Sequence, residues 1–168
     1  MIFLLFIAVF PAALLIAAFT DLSTFKIPNW VSGLMAIGFF PAALSTGVAF
    51  GPMIENIFVG LGALVLGFIL FARNIIGGGD AKLLAATALW FGLTGLSALL
   101  LNVALAGGCL ALTLIVFRKT PALPVYAQVP WLLRLHQKPK DIPYAVAIAA
   151  GGLLSIQETL PFQLAFGG

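Results

Sequence analysis

Apolar runs alternate along the chain with short polar or Pro/Gly-rich breaks, and six of these runs approach the length of a bilayer span. They fall near 2–20, 30–50, 54–72, 81–97, 98–117 and 142–157. The pattern predicts an all-α integral membrane protein, a bundle of six transmembrane helices in one domain over 1–168. The fourth and fifth runs are separated only by weak signals between Gly92 and Ser97, and fusing them would leave five spans. The first run lacks the basic flank of a secretory signal and reads as a retained span ending before Asp21.

Composition strengthens this picture. The chain is 62% hydrophobic and only 8% charged, with a mean hydropathy of +1.19. Soluble domains are roughly half apolar and a quarter charged, so lipid rather than water is the expected solvent.

Charge placement decides the span count. Lys26 follows the first span, Arg73 and Lys82 flank the connection after the third, and Arg118, Lys119, Arg134, Lys138 and Lys140 lie between the fifth and sixth. With six spans every basic residue falls in a loop on one side, which the positive-inside rule makes cytoplasmic, and both termini lie outside. Five spans would scatter the same residues over both faces. The cytoplasmic loop 118–141 contains Trp131, Leu132, Leu133 and Leu135 beside Arg134 and Lys138, the pattern of a short amphipathic segment on the headgroups. Trp30 sits where an interfacial anchor belongs. The basic residues form no dense run, so nucleic acid is not an expected partner, whereas the bilayer is. Cys109, the single cysteine, reads as a small core residue.

Only Asp21, Glu55, Asp80, Asp141 and Glu158 are acidic. A carboxylate in hydrocarbon costs several kcal/mol, so each needs a reason to be there. Glu55 and Glu158 belong to the outer face, where solvation accounts for them. The three aspartates belong to the cytoplasmic side. Asp21 lies at the end of span one, and Asp80 opens span four after Gly77, Gly78 and Gly79. Two carboxyls at one depth suit aspartic protease chemistry, in which one draws a proton from water while the other, protonated, hydrogen-bonds the scissile carbonyl. Helix polarity suggests Asp80, at a helix start, as the base and Asp21, at a helix end, as the acid. The simpler reading makes Asp80 an N-cap and Asp21 a solvated residue beyond a helix. His136 is the single histidine and reads as a surface residue; no metal site and no cofactor are expected.

Taken together, GGGDAKLLAA, which contains Asp80, and DLSTFKIPNW, which begins at Asp21, resemble the signatures of the type IV prepilin peptidases, membrane aspartic proteases with a GxGD motif. Gly77, Gly78, Gly79 and Asp80 supply GxGD, followed by Ala81, Lys82 and Leu83; Asp21 is followed by Lys26, Ile27, Pro28 and Asn29. A third likeness is Asp141-Ile142-Pro143-Tyr144, entering the last span. The resemblance implies that Asp21 and Asp80 are the catalytic pair, cleaving the leader of prepilins at the cytoplasmic face of a prokaryotic inner membrane. Larger members carry paired Cys-x-x-Cys motifs and methylate the new N-terminus. This chain, with one cysteine, resembles the short peptidase-only form of tight-adherence (Flp-type) pili, or an archaeal prepilin or preflagellin peptidase.

The remaining candidates shape that site. The three glycines let backbone approach backbone around an extended peptide, or simply make a flexible turn. Pro28 restricts Ile27 to an extended conformation and Asn29 is placed to cap span two, both fixing the loop that carries Asp21. Lys26 and Lys82 would repel a basic leader and are expected to meet anionic lipid, leaving the substrate to be held by its apolar helix. Asp141 either supports the pair or caps span six, with Pro143 beside it. A proton-coupled transporter subunit and a non-catalytic pilus or secretion assembly factor stand as alternatives.

Overall fold

The computed structural model describes residues 2–121, 129–137 and 142–166, and all regular structure among them is helical. The helices are α1 (Ile2–Thr24), α2 (Asn29–Thr46), α3 (Phe50–Ala72), α4 (Gly78–Lys119), α5 (Pro130–Gln137), α6 (Tyr144–Leu154) and α7 (Leu160–Phe166), with a 3-10 turn at Ile156–Glu158. Three of them, α1, α3 and α4, are long and apolar enough to cross a membrane. Large apolar side chains such as Leu5, Phe19, Ile37, Phe50 and Leu154 are exposed, as befits a surface bathed in hydrocarbon.

Helix α4 is not one rod. A straight helix of its 42 residues would be roughly 63 Å long, yet its two ends meet at the same end of the bundle. Near its start, Asp80 lines a cavity with Arg134 of α5, and near its finish Arg118 Nε donates to the Leu135 carbonyl of α5 at 2.8 Å. The chain reverses at Gly92, whose φ of 60° and ψ of −165° lie outside the helical region and are open essentially to glycine alone. A first limb, 78–91, runs antiparallel to α3, with Gly67 against Ala81 and Gly60 against Leu89. The second limb, 93–119, runs back beside α6, with Val103 against Gly151 and Gly107 facing Ala147. The expected break between the fourth and fifth runs therefore exists, at the first residue of the weak signal rather than at 97–98.

A reversal strands backbone groups that a continuous helix would pair, here the Leu89 carbonyl and the Leu93 N–H. Successive residues of α3 take them up. Asn56 Nδ2 donates to the Leu89 carbonyl at 2.9 Å, and the Leu93 N–H donates to Glu55 Oε1 at 3.3 Å. Glu55 is thus half of a clasp on the turn as well as an exposed carboxylate, a role that solvation alone did not suggest.

Small residues set the packing. Lipid offers no hydrophobic drive for helix association, so close approach at glycine and alanine is what brings membrane helices together. Gly38 meets Val9 across α1 and α2, and Gly152 meets Leu14 across α6 and α1. Around these contacts Phe10, Phe39 and Trp90 form a buried aromatic cluster, and the Trp90 indole donates to the Met35 carbonyl at 2.9 Å.

Several boundaries differ from the sequence reading. Helix α1 continues past Asp21 to Thr24, and in this last stretch the Thr20, Ser23 and Thr24 hydroxyls bond back to carbonyls of the preceding turn. Helix α6 has only 11 residues, closing at Leu154. Pro28, not Asn29, occupies the N-cap of α2 and makes no side-chain cap. Cys109 is exposed, not in the core. His136 is half-buried, its Nε2 2.9 Å from the Thr120 carbonyl and its ring edge-on to Phe117.

Candidate active site

Asp21 and Asp80 reach one cavity of ≈350 Å³ at the end of the bundle where α1 stops and α4 starts. Each is delivered by a local feature of the sequence. In α1, the apolar face buries Leu14 and Ala17 completely, and Asp21, one turn beyond Ala17, continues that face at 7% exposure. In α4, Gly77 is the N-cap and Asp80 stands at the third helical position, its carboxylate folded back beside Gly77.

Asp21 Oδ2 accepts the Ala145 N–H at 3.0 Å, across 124 residues of sequence. Ala145 lies in the first turn of α6, behind the buried N-cap Pro143. Both carboxyls therefore adjoin a helix N-terminus, Asp80 that of its own helix and Asp21 that of α6. At Asp21 the N-terminus of α6 thus offsets the C-terminus of α1, the feature on which its separate role as the acid was based. Asp80 Oδ1 is buried and has no hydrogen-bond partner among the described residues.

The three glycines divide their work. A Cβ on Gly77 would come within 2.7 Å of Asp80 Oδ2, so glycine clears the carboxylate's position. At Gly78 and Gly79 the same space is taken by Phe71 and Ile27. Both are helical, so the flexible turn shrinks to Gly77 and the residues before it. Lys82 and Asn29 are joined, Nζ to Oδ1 at 3.0 Å, and tie the start of α4 to that of α2. The cavity lining includes Gly77 but not Lys26, Pro28, Asn29, Lys82 or Pro143. Asp141 lies outside the described residues.

The rest of the lining comes from residues to which the sequence reading gave no role in the site: Phe25, Asn74, Ile75, Ile76 and Arg134, together with Ile142 and Tyr144, which flank Pro143 in the third motif. Phe25 and Asn74 end α1 and α3 in the left-handed conformation, with φ of 57° and 58°. Asparagine tolerates that geometry, whereas a bulky phenylalanine is an outlier there. Arg134 of α5 lies over the Phe25 ring, its guanidinium carbon 4.4 Å from the centroid, a cation–π contact. The amphipathic segment expected on the headgroups thus also packs against the end of the bundle, with Leu135 buried. Among the described residues, no group of three or more His, Cys, Asp or Glu side chains gathers as a metal site would require.

Two carboxyls on one polar cavity, delivered by separate helices of a membrane bundle, are the equipment of acid–base hydrolysis. The type IV leader peptidase family matches residues 8–112. The chain belongs to that family. The matched region contains both aspartates and the Gly92 reversal, and stops short of α5 and α6. No curated protein and no solved structure matches the chain significantly. As a leader peptidase of this family the protein is a membrane protease whose substrate is a prepilin.

Proposed function

We propose that the protein is an aspartic endopeptidase of the GxGD class, removing the leader of Flp-like type IV prepilins at the cytoplasmic face of the inner membrane, with Asp21 and Asp80 as its catalytic pair. The observation that carries this reading is the convergence of the two carboxyls on one cavity from helices 59 positions apart in the chain, by subtraction of 21 from 80. The same end of the bundle carries Lys26, Arg73, Lys82, Arg118 and Arg134, as a cytoplasmic face would. In this reading α1, α2, α3, the two limbs of α4 on either side of Gly92 and the apolar segment that α6 opens are the six crossings of a single domain, both termini outside; the 11 residues of α6 alone reach only about 17 Å.

In the reaction, a water between the carboxyls loses a proton to the ionised partner as its oxygen attacks the scissile carbonyl carbon. The protonated partner hydrogen-bonds the carbonyl oxygen and stabilises the charge that develops there. Collapse of the tetrahedral intermediate breaks the C–N bond, and the leaving nitrogen takes a proton from the dyad. Gly77 keeps room for the Asp80 carboxylate, the Ala145 N–H orients Asp21, and Lys82 with Asn29 and Pro28 fix the neighbouring helix starts. Lys26 faces the headgroups. Pro143 sets the entry to α6 as its N-cap.

A transporter would hold its carboxyls near the midplane, often on broken helices; here they stand at helix ends, beside loops. The test is cleavage of a prepilin in membranes by Asp21→Asn and Asp80→Asn variants. Each is expected to lose roughly a thousandfold or more of activity while accumulating normally, since removing one member of a catalytic unit disables the whole. Full processing by either variant overturns the assignment.

A further inference from the structure

Helix α5 is held against the end of the bundle by three contacts. The Leu135 side chain is buried, the Leu135 carbonyl accepts from Arg118 Nε at 2.8 Å, and His136 Nε2 lies 2.9 Å from the Thr120 carbonyl. Arg134 precedes these anchors, half-buried, with its guanidinium carbon 4.4 Å from the centroid of the Phe25 ring. Two helix ends thus station a guanidinium on the wall of the cavity that Asp21 and Asp80 share. The ring beneath it belongs to the residue one turn beyond Asp21, whose N–H bonds the Asp21 carbonyl. Phe25 holds that place in a left-handed conformation, an outlier for a bulky side chain, and strain of this kind clusters at functional sites. The guanidinium does not bond Asp80 Oδ1, which has no hydrogen-bond partner among the described residues, and Asp21 Oδ2 takes the Ala145 N–H.

Hydrolysis changes the charge in such a cavity. The substrate brings a neutral peptide bond. The carbonyl carbon takes the water oxygen, the C–N bond breaks, and both water protons end on the nitrogen, so the products are a carboxylate on the leader and an ammonium on the mature chain. A new anion therefore forms beside two aspartate side chains, where like charge disfavours it. A guanidinium is always charged, and its planar fork matches a carboxylate with two parallel hydrogen bonds.

We propose that Arg134 is the receptor for the product carboxylate, drawing the leader's new C-terminus off the two aspartates so that water can return between them. The inference rests on the peptidase reading above and adds to it the route by which the leader leaves. Arg134 lies beyond the region that the family matches.

The experiment uses the full chain in vesicles and measures inhibition of prepilin cleavage by two synthetic peptides. Both carry the leader's sequence up to the cut; one ends in the free carboxylate, the other in a carboxamide, so they differ only in the terminal charge. With the unsubstituted protein the acid is expected to inhibit more strongly than the amide by roughly tenfold or more. In Arg134→Gln the two are expected to inhibit alike, within about twofold. Lys26→Gln, which removes a positive charge from the same end of the bundle without altering the cavity lining, is expected to keep the preference. Equal inhibition by the two peptides in the unsubstituted protein overturns the proposal, as does a preference that survives Arg134→Gln or that Lys26→Gln abolishes as well; in each case cleavage itself still upholds the peptidase reading. If Arg134→Gln does not accumulate, Arg134→Lys decides in its place: it keeps the charge, loses the fork and is expected to lower the preference at least threefold or so, an undiminished preference overturning the proposal. Failure of the unsubstituted protein to cleave any prepilin removes the peptidase reading and this inference with it.

Discussion

The first limb of α4 has near each end a buried oxygen without a hydrogen-bond partner among the described residues: Asp80 Oδ1 in its first turn, and Asn56 Oδ1 against its last. Leaving such an acceptor unpaired costs on the order of 1–3 kcal/mol, yet the two ends use that cost differently. Asn56 is completely buried, and its other amide atom holds the Leu89 carbonyl freed by the reversal. Its oxygen is wedged beside Gly92 because the path of the chain demands it. The Asp80 oxygen belongs instead to a side chain that faces ≈350 Å³ of space and a second carboxyl. The glycines divide in the same way, Gly92 serving the backbone and Gly77 serving a carboxylate. A lone unsatisfied atom therefore does not mark a site; one beside a cavity and a chemical partner does.

The comparison breaks most readily at Gly92. Alanine there would have to adopt φ of 60° and would collide with the Asn56 carboxamide. Backbone strain and overpacking together are expected to cost on the order of 3–5 kcal/mol, read as a lowered midpoint in detergent-denaturation of the purified protein. Parental stability in Gly92→Ala would mean that the reversal lies elsewhere.

Next comes Asn56→Ala, which leaves the Leu89 carbonyl unpaired in an apolar surround and is expected to cost about 2 kcal/mol. The loss should fall on stability, with cleavage per folded molecule unchanged within about twofold. A large activity loss in fully folded protein would show that the two ends are coupled rather than distinct.

Gly77→Ala sharpens the other side. With φ of −71° and ψ of 145° at this position, alanine suffers no backbone strain, so stability should move by less than about 1 kcal/mol. Its methyl, however, needs the place held by Asp80 Oδ2. Displacing a reacting group by even a fraction of an ångström justifies an expected loss of roughly tenfold to a hundredfold in cleavage. Undiminished cleavage would mean that the carboxylate does not work from the position observed.

These predictions also separate what the sequence made legible from what it hid. Asp21 and Asp80 stood out because charge is scarce in apolar runs, and the family match bears out the resemblance read from their motifs. The reversal was visible only as a weak signal at Gly92 to Ser97, since a single residue accomplishes the turn. The clasp of Glu55 and Asn56 was illegible: it depends on which residues of α3 face a break in another helix. The Ala145 N–H left no trace either, because a backbone donor looks the same in every residue. Arg134 was seen as part of an amphipathic pattern, but only tertiary contact sets it over Phe25.

The smallest effect lies at that contact. Phe25 closes α1 through a hydrogen bond from its own N–H to the Asp21 carbonyl at 2.8 Å, in a conformation that costs a non-glycine residue roughly 1–2 kcal/mol. Replacing it with alanine or with glycine removes the same ring, the same stacking on Arg134 and nearly the same buried area. What differs is the left-handed geometry, which alanine must still bear and glycine adopts freely. Phe25→Gly is therefore expected to be more stable than Phe25→Ala by about 1 kcal/mol, whatever either loses relative to the parent. Both should lower cleavage modestly and alike, by roughly twofold to fivefold, because Arg134 is no longer held over the ring at the cavity wall. Equal stabilities for the two variants would show that α1 does not end in a strained turn. The native phenylalanine would then sit at the cavity for its contact with Arg134 alone.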